Sequence, residues 1–132
     1  WQESEIVFKG KIVRLRVGTV LLDDGATAYR EVVEHGGGAC ILPYTGHSVL
    51  LVRQYRIALE QDILEAPAGK LEGAEAPEHR GRCELEEEVG QTADHLLSVG
   101  YIYGTVGFCN EKIHLYIASG LHGTAQRLDE EE

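Results

Sequence analysis

Three carboxylates, Glu84, Glu87 and Glu88, stand in the run Cys83-Glu84-Leu85-Glu86-Glu87-Glu88-Val89-Gly90. At i, i+3 and i+4 they share one face of a helix. Like charges stacked this way weaken a helix, and a hard divalent cation among them removes that penalty. Mg²⁺ takes one or two carboxylates plus substrate phosphates as ligands, so the cluster reads as a seat for Mg²⁺, or for Mn²⁺. The plainer alternative is a solvated acidic face, the usual state of a Glu-rich helix surface. Arg53 and Arg56, in Val52-Arg53-Gln54-Tyr55-Arg56, carry planar forks that match phosphate oxygens; otherwise they balance an acidic surface. Glu65 is either a ligand or a strand-end residue, and the turn Pro67-Ala68-Gly69 can aim the Ala68 carbonyl at a hard cation. Glu111 follows a Gly-containing loop and could reach ribose hydroxyls or an attacking water, or simply begin a strand. The six histidines show no H-x-x-x-H spacing, and Cys83 reads as a small apolar filler. No nucleophile elbow is visible.

The elements that position these residues follow from periodicity. Pro77 near a helix start and Gly90 at a stop place a helix over Pro77 to Val89, with Leu85 and Val89 facing the core. Gly81 in its middle should cost about 1 kcal/mol against Ala. Ile6 to Leu22 and Thr27 to Glu34 read as strands around the Asp23-Asp24-Gly25 turn. Gly36-Gly37-Gly38 breaks the chain. Ala39 to Pro43 and Ser48 to Gln54 follow as a hairpin, with Val49-Leu50-Leu51-Val52 suited to a strand buried on both faces. Asp62 to Ala66, Leu96 to Tyr103 and Ile113 to Ser119 complete the strands. One strong helix among many strands points to an α+β or α/β sandwich. The expected division is a strand-rich region over 1–36 and a second domain over 37–132.

Composition narrows the function classes. The 132 residues are enough for a real core, and a net charge of −10 argues against nucleic acid or an anionic membrane as partner. A phosphate substrate would meet that same field, so cations and a few arginines must reverse it locally. No apolar run is long enough to span a bilayer, and no signal-peptide pattern appears. The three cysteines, odd in number and without CxxC spacing, suit a reducing cytoplasmic compartment. The chain starts at Trp1 and contains no methionine, so its native N-terminus is expected to lie upstream.

The stretch Gly69 to Gln91 resembles the Nudix box, G-x5-E-x7-R-E-U-x-E-E-x-G-U, with U a bulky aliphatic residue. Gly69, Glu75, Glu84, Leu85, Glu87, Glu88 and Gly90 fall on its positions. Cys83 departs from the box Arg, and Gln91 from its last aliphatic residue. Three further segments are similar to the ADP-ribose pyrophosphatase branch: Arg30-Glu31-Val32-Val33-Glu34-His35, Leu64-Glu65-Ala66-Pro67-Ala68-Gly69-Lys70-Leu71-Glu72, and Gly107-Phe108-Cys109-Asn110-Glu111. The resemblance implies a Nudix-type α/β/α sandwich with a mixed sheet, preceded by a small N-terminal antiparallel sheet. It implies Mg²⁺ held by Glu84, Glu87, Glu88 and the Ala68 carbonyl, with phosphate on Arg56. From an acidic loop matching Asp129-Glu130-Glu131-Glu132 it offers Glu130 and Glu132 as catalytic candidates beside Glu87 and Glu88. It also implies a homodimer exchanging its N-terminal strands, and hydrolysis of ADP-ribose or a related ADP-sugar to AMP and a sugar phosphate. The branch's last strand and helix are expected to be missing. The alternatives are a different nucleoside diphosphate substrate, or a degenerate domain that binds nucleotide without hydrolysis. Cys83 favours the last, because it cannot brace a box glutamate as Arg does, and Arg82 points about 100° away around the helix.

Overall fold

The structure, a computed structural model, describes residues 1–128. Contacts divide the chain into two units, Trp1–Gly37 with Tyr103–Lys112, and Gly38–Ile102 with the segment from Ile113 onward. The first unit therefore takes in Tyr103–Lys112, which the linear division at the triple glycine assigns to the second.

In the first unit, β1 (Glu3–Lys9), β2 (Val13–Leu21) and β3 (Thr27–His35) form an antiparallel sheet in chain order. The β2–β3 turn closes as its residues predict. Gly25 takes a left-handed φ of 84°, and the Asp24 carboxylate accepts from the Ala26 N–H at 2.9 Å. The loop before Lys112 docks on β3: the Val33 N–H donates to the Phe108 carbonyl at 2.7 Å, and the His35 N–H to the Asn110 side chain at 2.8 Å.

The second unit contains β4 (Gly38–Pro43), β5 (Val52–Arg56), β6 (Gln61–Glu65), β7 (Ala68–Lys70), α1 (Pro77–Val89) and, apart from the end residues Tyr103 and Lys112, β8 (Gln91–Tyr103) and β9 (Lys112–Gly123). Its four-stranded sheet has the order β7-β4-β9-β8, with β4 parallel to β9 and antiparallel to β7, so the sheet is mixed as expected. Strands β5 and β6 pair as a separate antiparallel hairpin. Among the described residues α1 is the one α-helix.

The helix begins and ends where the sequence places it. Pro77 occupies its first turn, and Gly90 closes it in the left-handed region at φ 64°, donating to the Glu86 carbonyl at 3.0 Å. Residues 124–127 finish the cap, since the Thr124 N–H donates to Gly90 and the Arg127 N–H to Glu87. The core is Ile41, Leu85 and Ala118, each at most 1% exposed, with Ala93, Leu96, Tyr116 and Leu121 packed against it. Leu85 thus faces the core as expected, whereas Val89 is only half-buried.

One expectation is corrected. Val49-Leu50-Leu51-Val52 is not a buried strand: Val49 and Leu51 are 43% and 44% exposed, and β5 starts only at Val52. An apolar run supplies affinity for a core but no register. Here the Tyr44–Val49 bridge closes the turn early and leaves residues 50 and 51 outside any ladder. The cost expected of Gly81 against Ala stands, because the packing leaves room for a methyl. Gly81 is buried, and a Cβ there would meet Tyr116 and Ile41 at 3.5 Å and beyond, ordinary contact distances. Gly81→Ala should raise unfolding free energy by about 0.5–1 kcal/mol in a urea titration. A fall in stability would show that the backbone, not the missing methyl, is what this position requires.

Candidate active site

The helix turns two of its three carboxylates inward. Glu84 and Glu88 are 7% and 2% exposed, while the Glu87 side chain keeps 43% of its surface. Burying two acids four residues apart is costly unless each oxygen is satisfied. The strands supply the partners. Gln54 on β5 donates to one oxygen of Glu88 at 2.9 Å, and the Ala68 N–H at the start of β7 donates to the other at 3.2 Å. The Glu84 carboxylate lies flat against Gly69, where a Cβ would come within 1.6 Å of its Oε1. Only glycine leaves that space. The box glycine is thus the seat of a box glutamate, a relation between β7 and α1 that the linear spacing could not state.

A brace holds this arrangement from the other side. Arg80 donates to Glu75 at 3.0 Å and to Glu84 at 3.3 Å, and stands 4.0 Å from Glu87. The guanidinium lowers the Glu75 pKa, and Glu75 in turn raises that of Arg80. Cys83 leaves the box without its usual arginine, and Arg80, one turn earlier, carries a guanidinium to two box glutamates. Arg82, the arginine next to Cys83 in sequence, pairs instead with Glu78 at 3.2 Å. The i, i+4 spacing of Arg80 and Glu84 was the available signal. Gln54 was missed because its partner lies 34 residues away.

The β5–β6 hairpin carries the arginines. Arg56 makes two 2.6 Å bonds to the Glu65 carboxylate, a bidentate fork. Arg53 lines a cavity of about 450 Å³ with Leu50, Gln54, Glu88 and Gln126. Cys40 on β4 reports the local field: burial first, then the charges of Glu88 and Glu65, push its thiol pKa up. The structure therefore gathers Glu65, Ala68, Glu84, Glu87, Glu88, Arg53 and Arg56 in the second unit. Glu111 belongs to the first unit, where it pairs with His35 at 3.3 Å. Glu130 and Glu132 lie outside the described residues.

The donor set suits a hard cation. Glu84, Glu87 and Glu88 offer carboxylate oxygens within about one helical turn, Glu88 beside the Ala68 backbone and Glu84 beside Gly69. These are all-oxygen donors of the kind Mg²⁺ and Mn²⁺ prefer.

No protein-family model matches the chain. Curated proteins do. The chain is 40% identical over 132 residues to an ADP-ribose pyrophosphatase of Bacillus subtilis, covering 98% of this chain and 71% of that one. It is 40% identical over 133 residues to a methanol dehydrogenase activator of Bacillus methanolicus, covering 98% and 72%. Among solved structures, an ADP compounds hydrolase superposes with a TM-score of 0.85 at 21% identity over 98% of this chain and 71% of that one, which shows the shared fold.

Proposed function

This chain belongs to the Nudix hydrolases, in the branch of the ADP-ribose pyrophosphatases, and we propose that it hydrolyses the diphosphate of ADP-ribose or a related ADP-sugar. The products are AMP and, for ADP-ribose, ribose 5-phosphate. The observation that carries this reading is the pair of buried glutamates, Glu84 and Glu88, seated against β7 and facing the same helical surface as Glu87. Those three residues and the Ala68 carbonyl would hold Mg²⁺, with Mn²⁺ as the substitute. A divalent cation bound there supplies Lewis acidity toward the diphosphate oxygens and toward the attacking water.

The protein's own groups do the rest. Arg56 and Arg53 bind phosphate oxygens, and an incoming diphosphate competes with Glu65 for the Arg56 fork. Glu65 then has a carboxylate to offer the site. Glu87, the most solvent-facing of the three helix acids, accepts the water proton, a role its exposure supports; Glu130 and Glu132 are the alternative bases. Glu111 is assigned to substrate hydroxyls. Gln54 and the Ala68 N–H keep Glu88 oriented, and Arg80 keeps Glu84 oriented.

The test is release of AMP from ADP-ribose by the full chain, with Mg²⁺ and with chelator. Metal-dependent release is expected. Nucleotide binding without release would leave a degenerate binding domain, and release only from a diphosphate carrying another base would change the substrate. Arg80 weighs against the degenerate reading, because the brace that Cys83 cannot make is present. Arg80→Ala should accordingly lower turnover by about 10–100-fold, the usual cost of removing an outer partner of a ligand. Cys83→Arg should restore part of it in that background and change little alone. A large gain from Cys83→Arg in the wild-type background would show that Arg80 is no brace.

We assign the protein to the cytoplasm, a reading its three free cysteines support. None of the helices among the described residues is long and apolar enough to cross a membrane. The first unit exposes Ile6, Val7, Phe8, Ile12 and Leu21, which supports a homodimer through the N-terminal strands. Sedimentation should give twice the chain mass, reduced to a single chain by Phe8→Glu; a monomeric wild type at micromolar concentration would end that assignment.

A further inference from the structure

Glu75, His79 and Cys83 recur every fourth residue, so they rise along one side of α1 and its N-terminal approach. Their ligand atoms all lie within 4.8 Å of one another. The Cys83 sulfur is 3.7 Å from His79 Nε2, and that nitrogen is 3.8 Å from Glu75 Oε1. A tetrahedral site with bonds of about 2.3 Å to sulfur and about 2.0 Å to nitrogen and oxygen sets such pairs about 3.6 Å and about 3.3 Å apart. The first distance already fits. The second closes by a small rotation of the His79 side chain, which is 68% exposed.

We propose that Glu75, His79 and Cys83 form a second metal site, for a zinc-class divalent cation, separate in chemistry from the all-oxygen glutamate cluster. Thiolate and imidazole donors select borderline and soft cations over Mg²⁺. Binding forms a bond from Cys83 sulfur to the metal and releases the thiol proton to solvent. Three protein ligands leave the fourth position to water. The outer partner is in place too, because Glu75 turns Oε1 to His79 and Oε2 to Arg80, whose Nε donates at 3.0 Å. A ligating carboxylate held this way keeps its orientation. The site exists because Cys83 occupies the box arginine's position. A search for paired histidines passes over it, since its ligands are of three kinds.

Titration of the full chain with Co²⁺ tests this, since sulfur ligation gives a thiolate-to-cobalt charge-transfer band that carboxylates cannot produce. One equivalent of band is expected. It should vanish in Cys83→Ala, and His79→Ala should weaken Co²⁺ binding about tenfold or more. The band should survive in Cys40→Ala and in Glu88→Gln, disappear when Zn²⁺ is added, and resist excess Mg²⁺. Thermal melts of each variant confirm that the fold is intact; His79 is exposed and Cys83 only half-buried, so their loss should leave it so. Absence of the band in wild type, its persistence in Cys83→Ala, or its loss in Cys40→Ala or with Mg²⁺ would overturn the site.

Discussion

Glu88→Gln should lower metal-dependent AMP release from ADP-ribose by at least about 100-fold, the upper end of what removing even an outer metal partner costs. The substitution removes the charge and keeps the shape. Gln54 and the Ala68 N–H both donate to this side chain. The new amide can turn its oxygen to Ala68 and its NH₂ to Gln54, whose own amide flips to accept. Both of these bonds are then kept, so the melting temperature should hold while turnover falls. Steady-state kinetics beside a thermal melt separate the two quantities. Turnover within about tenfold of wild type would remove Glu88 from the metal site. A large drop in melting temperature would recast it as a structural acid.

Gly69→Ala should be comparably damaging through a residue that carries no chemistry of its own. The added Cβ would sit 1.6 Å from Glu84 Oε1 and 2.3 Å from its carboxyl carbon. Those atoms end a flexible chain, so they can move, and moving takes the carboxylate off its seat against Gly69. The displaced carboxylate loses its approach to the site and strains its bond to Arg80 at 3.3 Å. Turnover should fall by about 100-fold or more, and Mg²⁺ affinity should fall with it. Because Gly69 remains paired to Ala39 through its backbone, the sheet should survive. Mg²⁺ titration followed by isothermal calorimetry checks the affinity; unchanged binding would show that Glu84 takes no part in holding the cation.

Much of the architecture was legible locally. A helix bounded by Pro77 and Gly90 is written in residues whose backbone preferences act within one turn, and the structure starts and stops it there. The Asp-Asp-Gly turn is another case. Extended segments were harder. β8 begins at Gln91, well ahead of the expected Leu96, and β7 occupies what read as a turn. A strand's existence depends on a neighbour to pair with, and β7 pairs with β4 some thirty residues earlier.

The sequence by itself determined the acid cluster, its helix, its glycine and the family frame around them, because residue type at fixed spacing settles which groups can share a helical face. Only the tertiary structure decided how those groups are used. It buried Glu84 and Glu88 while leaving Glu87 toward solvent. It paired Arg56 with Glu65, turned Gln54 and the Ala68 N–H to Glu88, and put Arg80 where Cys83 left a gap. Each of these depends on the distance between atoms carried by different elements, or on side-chain direction within one. Periodicity sets which residues face the same way, and packing alone sets what they face.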